Sequence, residues 1–229
     1  MPLQRKLVGL MVLALALLAG CTPQAALLLQ VLPGNTIPVL LGNLEKVDDT
    51  NRSHLAELER RGDWDGMARF AEENVAKDPR NADWWLVAGF AYSQLGRHNE
   101  AVRSFGEMVR VAPDDILGWN LLAQAQRSAG QLPQAIRTLD NALRIRSDAA
   151  PTWFLLGESY RDLGRFESAL AGYREAVRLD NRFAQAWFGM GSAYAKLERK
   201  REFEEVVVVL RQLDPALAEA LARSVSTPR

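Results

Sequence analysis

Tryptophan recurs every 34 residues through the middle of this chain, at Trp85, Trp119, Trp153 and Trp187. Gly89, Ala123, Gly157 and Gly191 keep step with it, as do Tyr92, Gln126, Tyr160 and Tyr194. Self-similarity at this period reads as a series of helix–turn–helix units. No such unit can bury its apolar face alone, so a continuous core forms only when each contacts its neighbours in sequence. That restricts the chain to an all-α solenoid.

The register places four clear repeats at 82–115, 116–149, 150–183 and 184–217, each with a first helix, an inner turn and a second helix. A degenerate repeat precedes them at 48–81, where Asn51 stands in the tryptophan column. Gly62, Gly96, Gly130 and Gly164 mark the inner turns, where glycine accepts a positive φ at little cost. Glu198 replaces that glycine in the last repeat. Asp114, Asp148 and Asp180 fall in or near the turns between repeats. Pro133 and Pro151 fall in first helical turns, and Pro79, Pro113 and Pro215 fall past helix ends, so no proline interrupts a helix. Val206–Val209 has the composition of a strand, but its charged flanks, the kept register and Pro215 predict a helix. A short amphipathic helix over 216–225, with Leu217 and Leu221 on one face, is predicted to cover the apolar run at 206–210. The small residues at Gly89, Ala101, Ala123, Ala135, Gly157, Ala169 and Gly191 allow close helix approach, and the Trp, Tyr and Phe columns are expected to fill the core.

These columns resemble the tetratricopeptide repeat, whose pattern runs Trp-x2-Leu-Gly-x2-Tyr, then Ala-x3-Phe, then Pro. Residues 82–115 supply Trp85, Ala88-Gly89, Tyr92, Ala101, Phe105 and Pro113. Residues 150–183 supply Trp153, Leu156-Gly157, Tyr160, Ala169 and Tyr173, with Asn181 for the proline. Residues 116–149 depart at Gln126 and Ser147, and residues 184–217 at Phe203 and Val207. The resemblance implies a right-handed superhelical solenoid of antiparallel helix pairs, with the first helix of each pair lining a concave groove that binds protein. By register the groove columns are Leu86, Phe90 and Gln94; Asn120, Gln124 and Arg127; Phe154, Glu158, Arg161 and Asp162; and Phe188, Ser192 and Lys196. Phe90, Phe154 and Phe188 are either anchors for a peptide or packing against the next repeat. A carboxylate clamp for chaperone tails is not expected, because Leu86, Phe90, Gln124 and Pro151 occupy its columns.

The start of the chain has a different character. Arg5 and Lys6 precede an uncharged apolar run from Leu7 to Ala19, too short for a comfortable membrane span, as in a secretory signal peptide. It ends in Leu18-Ala19-Gly20-Cys21, which resembles the lipobox of bacterial lipoprotein precursors. That resemblance implies removal of a signal peptide over 1–20, lipidation of the chain's one cysteine, Cys21, and a place in the cell envelope. Thr22 favours the outer membrane, facing the periplasm. The apolar segment 21–47, with its Pro33-Gly34 turn, is left with two readings: it folds back to cap the first repeat, or it lies in the membrane interface or docks a partner. Residues 218–229 form a C-terminal cap and tail.

Charge narrows the partners. Basic and acidic residues number 28 each, and loss of Arg5 and Lys6 leaves a net of about −2. Such a balance lacks the basic field that nucleic acid requires. His54 and His98 lie in different repeats, and with Cys21 they give no zinc spacing. No catalytic constellation or phosphate loop is present, so neither enzyme activity, metal nor cofactor is expected. The expectation is a lipid-anchored periplasmic scaffold that binds protein partners in its groove during assembly of an envelope complex. A pilotin-like factor for a secretin or type IV pilus, or a membrane-interface protein acting through residues 25–41, are the alternatives, and self-association is left open.

Overall fold

The computed structural model describes residues 44–226, which are helical throughout and joined by short turns. Cys21, the expected signal peptide over 1–20 and most of the apolar segment 21–47 lie outside the described residues. Among the described residues no helix is long and apolar enough to cross a membrane.

The helices alternate in two invariant lengths. First helices have 13 residues: α1 (Asp49–Arg61), α3 (Ala82–Gln94), α5 (Ile116–Ser128), α7 (Ala150–Asp162) and α9 (Ala184–Lys196). Second helices have 14: α2 (Trp64–Lys77), α4 (His98–Val111), α6 (Leu132–Ile145), α8 (Phe166–Leu179) and α10 (Lys200–Leu213). A final helix, α11 (Pro215–Ser226), follows. Neither the degenerate first repeat nor the valine run disturbs the pattern, because the inner turn resets the register each time. There the chain turns back with a hydrogen bond from the third residue past the helix to a carbonyl five residues earlier, as in Arg97 N–H to Tyr92 and Arg165 N–H to Tyr160, both 2.9 Å. The turn residue is left-handed at Gly62, Gly96, Gly130 and Gly164, with φ between +66° and +74°.

Two compact units divide the chain after Ala112. In the first, α1–α4 pack as two antiparallel pairs, with α3 in contact with both α2 and α4. The α3 sequence is apolar nearly all round, as a helix enclosed by neighbours must be, and buries Trp84, Leu86, Val87, Ala88 and Phe90. Residues ahead of α1 join this unit. Leu44 and Val47 are buried, the Lys46 N–H donates to the Asp83 carboxylate at 2.7 Å, and the Asn81 side chain donates to the Lys46 carbonyl at 3.2 Å. The described end of segment 21–47 is thus tied to the start of α3.

The second unit runs from α5 to α11. Its centre is Tyr173 on α8, fully buried between two helices that carry glycine where they meet the ring. A Cβ built on Gly157 of α7 or on Gly189 of α9 would lie 2.7 Å from that ring. At the far end α11 packs on α9 and α10, and Ala218 and Leu221 are buried there beside Val206 and Gly191. Leu217 is only half-buried, so the covering contact expected from Leu217 and Leu221 is made by Ala218 and Leu221. Pro215 begins this helix as well as following α10, so the cap starts within the window that the 34-residue register assigns to the last repeat.

Candidate functional site

The tryptophan column has a role that the period alone does not reveal. Each of the four rings is half-buried rather than central to the core. Each indole N–H instead donates to a backbone carbonyl six residues earlier: Trp85 to Pro79 at 3.0 Å, Trp119 to Pro113 at 2.7 Å, Trp153 to Ser147 at 2.8 Å and Trp187 to Asn181 at 2.9 Å. The acceptors all lie in the turns between repeats, where helix-end carbonyls lack an intrahelical partner. Tryptophan therefore fixes how each first helix leaves the preceding turn. The core positions belong to the Phe105, Leu139, Tyr173 and Val207 column, all buried.

The columns expected to be exposed along the first helices fall into two groups. In the first unit Leu86 and Phe90 are buried, and Phe90 meets Trp64 edge to face at 5.8 Å between ring centroids. Gln94 is half-buried. In the second unit Phe154 is 2% exposed and packs against Tyr173 and Phe183, with centroids 6.0 and 5.0 Å apart. Leu86, Phe90 and Phe154 are therefore core residues, not surface anchors, because the neighbouring second helix and next turn close over them. Phe188 and Ser192 are half-buried and Lys196 is exposed, so α9 keeps part of its expected surface.

Five polar members of the columns, Gln124, Arg127, Glu158, Arg161 and Asp162, are drawn into one network across α5, α7 and α8. The Arg127 side chain is 7% exposed and donates to Gln124 at 2.8 Å and to Asp162 at 2.6 and 3.1 Å, with Glu158 at 3.4 Å. Glu158, 3% exposed, accepts from the Tyr173 hydroxyl at 2.6 Å and pairs with Arg161 at 2.8 Å. Arg161 also reaches Asp162 at 3.1 Å. Two guanidiniums and two carboxylates close on one another without net charge. Buried charges require this pairing, since a lone ion in such a place would cost several kcal/mol, on the order of a disrupted core contact or more. Asn120 accepts a hydrogen bond from Thr152 at 2.9 Å, extending the polar seam between α5 and α7. The face is thus pre-ordered, with Asp162 and Arg161 its more accessible members.

Sequence reasoning missed Trp84, which is buried beside Phe70 at 5.7 Å and lies off the repeating columns. It also missed the internal pairing of the charged columns. The available signal was opposite charges about one repeat apart, Arg127 with Glu158 and Asp162. Among the described residues no cluster of three or more metal-ligating side chains occurs.

The comparisons agree with this architecture. A tetratricopeptide-repeat model matches residues 87–152, and a second model of the same repeat matches residues 157–198. No curated protein matches the sequence. Among solved structures, MamA superposes with a TM-score of 0.59 at 23% identity, covering 74% of this chain and 95% of its own. A thermophilic TPR protein of Thermus thermophilus gives 0.60 at 20% identity, covering 76% of this chain and 97% of its own. YrrB, described as a TPR protein with an unusual peptide-binding site, gives 0.58 at 19% identity, covering 74% and 88%. Residues 87–152 and 157–198 match tetratricopeptide-repeat models, and the described helices share the fold of these solved structures.

Proposed function

We propose that this protein is a lipid-anchored scaffold of the bacterial envelope that recruits a protein partner through its repeats and assists the assembly of an envelope complex, with a pilotin-like role as one form of that task. The observation that carries the recruiting role is the pre-ordered first-helix face of the second unit. Its polar groups are held by one another before any partner arrives, so little side-chain entropy would be lost on binding. The peptide-binding described for YrrB is the kind of use we propose for such a face. The anchor rests on Arg5-Lys6, the apolar run and Leu18-Ala19-Gly20-Cys21. A diacyl or triacyl cysteine would supply the more than one chain that stable membrane attachment needs.

The test is covalent crosslinking in native envelopes with the tagged full-length chain and a matched Cys21→Ala variant. A secretin, pilus or cell-wall synthesis protein recovered only with the wild type supports the anchored scaffold. Release of the wild type to the soluble fraction would overturn the anchor. Recovery of no partner by either chain would overturn the scaffold.

A further inference from the structure

Helices α2, α3 and α4 line a cavity of about 300 Å³, open to solvent on the side of Glu72, Ala76, Glu100 and Arg103, in the first unit. Register explains its existence. Ala88 lines it, and the same position in the following repeats carries Leu122, Leu156 and Met190. Ala76 lines it too, where the following repeats carry Arg110, Arg144 and Arg178. Arg110 and Arg178 pair with Glu107 and Glu175 of their own helices, so the open space follows from Ala88, where a methyl group stands in place of a long apolar side chain.

The lining is chemically selective. The Trp85 ring forms one wall, its N–H already committed to the Pro79 carbonyl. The Tyr92 hydroxyl donates to Glu72, which is therefore held in place while its second oxygen has no partner among the described residues. Glu100 and Arg103 complete the polar rim, and neither forms an ion pair among the described residues. With two carboxylates and one guanidinium, the lining is one positive charge short of neutrality.

The second unit shows how this chain satisfies the matching tyrosine. Tyr194, three repeats on from Tyr92, is flanked by two guanidiniums: Arg174 lies 5.9 Å from the ring centroid and donates to the hydroxyl at 3.1 Å, and Arg199 lies 4.9 Å from the centroid. The register equivalents in the first unit are Glu72 and Arg97, and Arg97 turns to Asp65 at 3.5 Å. The guanidinium that the protein places on its own tyrosine at Tyr194 is replaced at Tyr92 by a carboxylate and an open cavity.

We propose that this cavity takes the side chain of an arginine presented by a protein partner, with its aliphatic stem along Trp85 and Ala88 and its guanidinium between Glu72 and Glu100. An aromatic wall and nearby carboxylates are the groups that recognise a guanidinium and its stem. The inference rests on the scaffold reading and adds to it the partner's chemistry: a basic segment, read by the first unit.

The probe is the peptide N-acetyl-Ala-Ala-Arg-Ala-Ala-amide, titrated into the full-length chain and followed by the Trp85 indole N–H resonance. The other indole resonances report that each variant remains folded. The expected result is a saturable shift at roughly millimolar peptide, absent with norleucine at the central position. Glu72→Gln is expected to weaken binding about tenfold by removing a charge-assisted contact. Ala88→Leu, which installs the residue of the next two repeats, is expected to abolish it. An equal response to the norleucine peptide, no response of Trp85, or binding unaffected by Ala88→Leu would each overturn the proposal. Crosslinking with Ala88→Leu separates it from the broader reading: undiminished capture of the envelope partner would sink the arginine pocket and leave the scaffold standing.

Discussion

Glu198 sits at φ 57°, the one left-handed residue other than glycine among those described. The four earlier inner turns place glycine there. Outside glycine this conformation costs roughly 1–2 kcal/mol, because Cβ crowds the following carbonyl. Glu198→Gly is expected to raise the stability of the last repeat by about 1 kcal/mol, somewhat less than the full strain because glycine has more freedom to lose. Gly130→Ala, at φ +74° with open space around a new Cβ, isolates the same strain with the sign reversed. Urea denaturation midpoints of the two variants, moving in opposite directions, would check both. The turn column was legible because glycine in αL is a backbone demand that sequence displays directly. The tryptophan column was legible as a period but not as a mechanism, since an indole N–H reaching back to a turn carbonyl depends on how successive helices leave each turn. Trp153→Phe removes the N–H donor to Ser147 together with part of the half-buried indole, so a loss of about 1–3 kcal/mol is expected. Faster amide exchange confined to the turn before α7 would locate the effect; unchanged exchange there would deny the clamp.

Between elements, the tightest packing in the second unit is the wedge of Tyr173 between α7 and α9. Gly157→Ala would push a methyl into the ring and to 3.1 Å from the Ala169 carbonyl, and overpacking of this kind costs about 1–3 kcal/mol. The tyrosine hydroxyl also serves the Glu158 network, which gives the packing a pH dependence. Burial, reinforced by the Glu158 carboxylate, holds the Tyr173 hydroxyl well above its ordinary value of 10. Burial and the bond to Glu72 push Tyr92 up to about 12. In the unfolded chain both ionise near pH 10, so above that pH the unfolded state sheds protons that the folded state retains. The stabilising contribution is complete below about pH 10 and is lost as the pH rises through the folded values. Urea midpoints taken from about pH 9 to 11.5 should fall for the wild type and fall less for Tyr92→Phe/Tyr173→Phe. At neutral pH Tyr173→Phe alone is expected to cost about 1–3 kcal/mol, because Glu158 loses a buried donor. Helix lengths and pairings at this scale followed from the 34-residue spacing. The direction of the charged columns did not, because whether Arg127 faces solvent or the carboxylates of α7 is decided by contacts between helices one repeat apart, which periodicity within a helix does not encode.

Across the whole molecule, a protein built of repeats draws its stability from contacts between neighbours in sequence, so a terminal defect stays near its end. The last repeat lacks a successor, and α11 takes that place. Its Leu221 is fully buried, and a Cβ on Gly191 would come within 2.5 Å of its side chain. A cap can therefore approach α9 this closely only because α9 keeps the small residue of its repeat column, and the same column that joins one repeat to its own second helix elsewhere seats the cap here. Leu221→Ala removes three carbons from a site with little room to collapse, for an expected loss of about 3 kcal/mol. Nearest-neighbour coupling predicts where that loss is felt. Amide exchange should accelerate in α9, α10 and α11, which touch Leu221 or its neighbours, and remain unchanged in α5 and α6, two repeats away. Uniform acceleration over all seven helices of the second unit would mean that the unit opens as one cooperative body, and the repeat-by-repeat account of its stability would fail.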